Sequence, residues 1–92
     1  MSESTITLPE SLTIHHIEEQ LSDLRVAFQT DADVLHIDAS NIETIDTSGL
    51  QLLLALIKNA QSSNQKIHWQ NPSETLTTNA EKLGLTDKLC LA

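Results

Sequence analysis

Apolar positions between residues 16 and 29 fall at Ile17, Leu21, Leu24 and Phe28, spaced by four, three and four. That spacing keeps them on one helical face, with Glu18, Glu19 and Asp23 on the other side, and it predicts a helix over 16–29. Elsewhere the pattern changes period. Residues 34–39, VLHIDA, alternate, with Val34 and His36 on one side and Leu35 and Ile37 on the other, as a strand does. Residues 66–70, KIHWQ, read as a second strand. Residues 4–8 and 11–15 read as two short ones, separated at Pro9. Ser73 is placed to cap a helix over 74–83, which Gly84 stops. The apolar tail, 85–91, is predicted to pack back on the rest. The order β(β)αβαβα implies a sheet covered by helices, part of it parallel because strands are joined through helical crossovers.

The most apolar segment is IDTSGLQLLLALI, residues 45–57. Asp46 or Thr47 can cap a helix that runs to about Ser62. At about 100° per residue, Leu50, Leu53, Leu54, Ile57 and Ala60 share an arc, which predicts the core face. Gln51 and Lys58 lie opposite. Leu52 falls outside the core arc and aligns with Ser48, Ala55 and Asn59. This small, mildly apolar stripe begins at a hydroxyl and reads as a shallow docking face for a partner protein.

Composition narrows the classes of function. The chain has 92 residues, 39% of them hydrophobic, and only two aromatics, Phe28 and Trp69, so a single domain (1–92) with an aliphatic core is expected. Thirteen acids against five bases give a net charge of −8. Such a surface lacks the Lys and Arg that neutralise nucleic-acid phosphates or anionic lipid. The single Cys90 excludes an internal disulfide. The N-terminus has neither a basic nor an apolar signal region, and the longest apolar run is far too short to span a bilayer. A cytoplasmic protein with no direct membrane insertion is expected.

Two adjacent hydroxyls, Thr47 and Ser48, stand where one cap is enough. With Asp46 or Thr47 as cap, Ser48 is spare. A phosphate on it would sit at the positive end of the helix and would add about −1.5 to −2 charge at the head of the stripe. Gly49 lacks a Cβ beside Ser48, which is read here as room for a partner or a kinase. A Ser48 nucleophile would need a base, and the G-x-S-x-G elbow is absent. The histidines, His15, His16, His36 and His68, lack the spacing of a metal site. No enzymatic activity, metal or cofactor is therefore expected, and no Gly-rich phosphate loop is present.

The segment DASNIETIDTSGLQLLLALIKNAQ, residues 38–61, resembles the signature of the STAS domain, and the likeness extends over about residues 4–91. The resemblance implies an α/β fold: a mixed four- to five-stranded sheet with helices packed mainly on one face. It also implies a regulatory, protein-binding module, and three branches of the family are relevant. In anti-anti-sigma factors the segment is D-S-S-G-L and its second serine is phosphorylated by a serine kinase that is itself the anti-sigma factor. That position is Ser48 here, with Asp46 as the nearby carboxylate. In small STAS subunits of Mla-type lipid ABC transporters the segment reads D-T-[AS]-G-L, and the threonine that contacts the ATPase maps to Thr47. Free-standing STAS proteins of chemotaxis gene clusters form the third. The present D-T-S-G-L satisfies both of the first two patterns. The partner-binding residues implied are Asn41, Asp46, Thr47, Ser48, Gly49, Leu52, Ala55 and Leu56, with Ser48 as phosphoacceptor. Oligomeric state is left open.

Overall fold

Alternation along β3 (Val34–Asp38) sets the layers. Leu35 and Ile37 are fully buried, while Val34, His36 and Asp38 are only half-buried. β1 (Glu3–Thr7) and β5 (Lys66–Gln70) flank β3 on either side, both parallel to it, in the order β1-β3-β5. The register places Ile6, Ile37 and Trp69 side by side on one face and Thr5, His36 and His68 on the other. Helices cover only the first of these faces. The structure, a computed structural model, describes residues 2–91.

Two further short strands, β2 (Ser11–Leu12) and β4 (Thr44–Ile45), pair parallel to each other and carry the β1–β3 arrangement onward. The five strands thus form a three-stranded and a two-stranded ladder, and each pairing among the described residues is parallel. This is the expected α/β fold with helices on one face. It differs from the expected sheet in direction, because the chain returns through a helix from β1 to β3 and again from β3 to β5. Such crossovers bring strands back parallel.

The helices are α1 (Ile17–Phe28), α2 (Thr47–Ser62) and α3 (Glu74–Lys82). Leu24 and Phe28 of α1, Leu53 and Ile57 of α2, and Leu76 and Ala80 of α3 meet Leu8, Leu12, Leu35, Ile37 and Ile42 in one aliphatic core. Ser73 caps α3, its hydroxyl accepting the Leu76 N–H at 3.2 Å. Gly84 follows α3 in the left-handed region, φ +68°, as a helix-terminating glycine does. The tail packs back as expected: Leu89 is fully buried, and its carbonyl accepts the Trp69 indole N–H at 2.7 Å.

The core face of α2 is turned from the one expected. Leu50, Leu53, Ile57 and Ala60 are buried, but Leu54 is only half-buried, and Leu56 takes its place. The buried arc is shifted toward Gly49 and Leu56 because the first turn of α2 lies directly on β2.

Candidate functional site

The first turn of α2 is built by Asp46. Its backbone is extended, and its Oδ1 accepts the Gly49 N–H at 3.0 Å, which makes it the N-cap. Its Oδ2 accepts the Ile14 N–H at 2.9 Å, so one carboxylate ties the β2–α1 connector to the start of α2. Its own N–H donates to the Leu12 carbonyl at 3.3 Å. The N–H groups that donate to the two carboxylate oxygens stabilise the ionised form. The Ile14 N–H, and after it those around the cap, hold the Asp46 carboxyl below its ordinary value despite partial desolvation.

Of the two candidate caps, Asp46 therefore does the capping, and both hydroxyls are released from it. Thr47 occupies the first helical position and is exposed; Ser48 occupies the second and is half-buried. Neither side chain forms a hydrogen bond among the described residues. No acidic or basic residue follows in the first turn of α2, so the positive helix end faces these hydroxyls with Asp46 as the nearest charge.

Gly49 has a different role from the one expected. It is buried, and a Cβ there would fall well inside van der Waals contact of the Leu12 carbonyl oxygen. The space left by its missing side chain is filled by the backbone of β2 and is closed to a partner. Leu56 is likewise a correction. Expected among the partner-binding residues, it is 9% exposed and belongs to the core cluster, with only an edge on the cavity beside Leu52 and Ala55. Asn41 is exposed in the turn after β3, but it lines a groove between β1 and α1 to which α2 contributes no residue.

Leu52 and Ala55 remain as the accessible part of the stripe, half-buried and exposed respectively. With Leu56 and Asn59 they form one wall of a shallow cavity of about 250 Å³, whose other wall is Arg25 and Phe28 of α1 and Gln29 directly after it. One neighbour escaped the sequence reading. Ile14, expected at the end of a strand, lies in the turn after β2 with its side chain 64% exposed. The Asp46 bond fixes its backbone beside the first turn of α2. Its signal was an isoleucine directly before His15-His16, a polar pair that interrupts the strand.

The remaining titratable side chains do not converge on Ser48. His36 on the open sheet face pairs with Glu3, Nε2 to Oε1 at 2.8 Å, and its ring meets that of His68 edge-on at 5.1 Å. Among the described residues no three His, Cys, Asp or Glu side chains are grouped as metal ligands. No helix among the described residues is long and apolar enough to cross a membrane. Cys90 is half-exposed, its Sγ accepting from Gln61 Nε2 at 3.0 Å.

A family model described as "Mlab, STAS domain" matches residues 1–91. A search of curated protein sequences returns no match. Among solved structures, the anti-sigma factor antagonist SpoIIAA in its unphosphorylated form is similar, with a TM-score of 0.70 at 21% identity, covering 94% of this chain and 76% of that one. A sulfate transporter family protein from Wolinella succinogenes is similar with a TM-score of 0.75 at 14% identity, covering 95% and 70%.

Proposed function

From the premise that the chain belongs to the STAS domain family, we propose that it is a non-enzymatic cytoplasmic docking module whose partner packs on the N-terminus of α2, gated by phosphorylation of Ser48. One observation carries this reading. Asp46 satisfies the helix cap alone, which leaves the Ser48 hydroxyl unpartnered at the second position of α2. A phosphoryl group there gains the free N–H groups of the first turn and so leaves the fold intact. It also adds about −1.5 to −2 charge at the start of α2, beside Thr47 and at the head of the Leu52–Ala55 face, where an apolar or acidic partner surface would otherwise fit. The similar SpoIIAA is named as an anti-sigma factor antagonist in an unphosphorylated form, which supports a partner of the anti-sigma serine-kinase type.

Incubation with serine kinases encoded beside the gene should add about 80 Da at Ser48, one phosphoryl group. Ser48→Asp should abolish capture of the cognate kinase while the melting temperature stays within a few degrees. Loss of the fold in Ser48→Asp, or unmodified Ser48 with every such kinase, would overturn the reading.

A second reading rests on Thr47, which is exposed at the first helical position. In the Mla-type lipid ABC transporters whose small STAS subunits the D-T-S-G-L segment resembles, the matching threonine contacts the ATPase, and Thr47 would do so here. Copurification of such an ATPase, lost in Thr47→Ala and retained in Ser48→Ala, selects this second reading over the first.

A further inference from the structure

β1 forms one edge of the three-stranded sheet. Its even-numbered residues face β3: the Ser2 carbonyl accepts from Val34 and the Leu8 N–H donates to Asp38. By the alternation of a parallel ladder, the N–H and C=O groups of Glu3, Thr5 and Thr7 point outward, along an edge that no other strand covers among the described residues. Unpaired edges of this kind are templates for another strand. Beside the edge lies a groove of about 400 Å³, walled by Ile6, Leu8 and Pro9 from β1 and its exit, and by Leu24 and Ala27 from α1. Gln20 also lines it, and its Oε1 is buried without a hydrogen-bond partner. A buried acceptor left unpaired is costly, and a donor supplied from outside would relieve that cost.

The charge around the groove states what fits. Asp23 lines it, and Glu18 and Glu19 are exposed on α1, one of the two elements that form it; Glu3 is on the opposite, open face of the sheet, paired with His36. None of the five bases lines it; Arg25, the only one on α1, lines the opposite cavity toward α2. A second copy, with net charge −8, would bring acid against acid.

We propose that the β1 edge and the β1–α1 groove take an extended, basic segment of a partner protein as an added strand. Backbone bonds to Glu3, Thr5 and Thr7 supply the pairing. Every second side chain enters the groove, apolar between Ile6 and Leu24 and basic beside Asp23, and a donor reaches Gln20 Oε1. This is strand addition with pockets for every second side chain. The surface is separate from the α2 terminus, so a phosphorylation-gated partner and a strand-adding segment can be held together.

The test uses the whole protein and a fluorescein-labelled peptide in which Thr alternates with groove-facing Val, Val and Lys, read by fluorescence anisotropy, against one with Glu in place of each Lys. The basic peptide should bind saturably and the acidic one at least about tenfold more weakly. Thr5→Pro removes an outward N–H and leaves the β1–β3 ladder intact, so it should abolish binding with an unchanged circular dichroism spectrum. Asp23→Lys, a surface change that does not touch the ladder, should reverse the preference between the peptides. Amide shifts on titration should be largest at Thr5 and Thr7. Equal binding of both peptides, or binding indifferent to Asp23→Lys, overturns the proposal. So does a concentration-dependent dimer that Thr5→Pro dissolves. Ser48→Asp should bind the peptide as the wild type does, which separates this result from the fate of the α2 reading.

Discussion

Asp46 gives the sharpest quantitative test because one side chain holds two N–H groups from segments far apart in sequence. In Asp46→Ala both are lost. Removing an Asp N-cap costs about 0.5–2 kcal/mol. The bond to the Ile14 N–H lies nearer the surface and adds about 1 kcal/mol. Together they amount to about 2 kcal/mol, which lowers the melting temperature of a domain this size by about 10 °C. Asp46→Asn separates the two bonds. Asn caps as well as Asp does, but its amide offers a single acceptor oxygen where the carboxylate offers two. It should lose about half as much, about 1 kcal/mol.

The carboxylate also predicts a pH dependence. Its folded pKa is lowered, chiefly by the Ile14 N–H. Its ionic contribution is therefore complete above the unfolded value of about 3.9 and is lost as pH falls through the lower folded value. Urea denaturation of the three proteins should rank wild type above Asp46→Asn above Asp46→Ala at pH 7. The gap between wild type and Asp46→Ala should hold down to about pH 4 and narrow below it. If Asp46→Ala is within about 0.5 kcal/mol of wild type, or Asp46→Asn costs as much as Asp46→Ala, the two-bond account is wrong.

Two other substitutions probe the packing beneath the site. Gly49→Ala gains about 1 kcal/mol of helix propensity but drives a Cβ into the Leu12 carbonyl, and displacing backbone costs about 1–3 kcal/mol beyond that gain; a raised melting temperature would show that the contact yields. Trp69→Phe keeps one aromatic ring but loses the pyrrole half of the indole and its bond to the Leu89 carbonyl, so it should cost at least about 1 kcal/mol and speed amide hydrogen exchange in the 85–91 tail ahead of the β3 core. Unchanged exchange there would mean that burial of Leu89 holds the tail without the indole bond.

Features set by neighbours in sequence could be read directly. The bounds of α2 and β5 follow from Asp46, Ser63, Lys66 and Gln70, and the start and stop of α3 follow from Ser73 and Gly84. Caps, a positive-φ glycine and a strong apolar period act over a few residues. The position of Ser48 beside a capping carboxylate was legible for the same reason.

What tertiary structure decided involves partners distant along the chain. β4 is two residues long and exists because β2 pairs with it, more than thirty positions away. Nothing local distinguishes Thr44–Ile45 from a connector. The void at Gly49 looked like an opening to solvent until the Leu12 carbonyl occupied it. The half-exposure of Leu54 and burial of Leu56 depend on how α2 sits against β2, a rotation that a helical wheel cannot register. Ile14 became part of the candidate surface only through an N–H bonded to Asp46 Oδ2. The sequence alone determined where the helices begin and that two hydroxyls share one helix start. The long-range contacts of Asp46 and Leu12 decided which neighbours of those hydroxyls face outward, because burial is a property of the assembled layers and not of any single element.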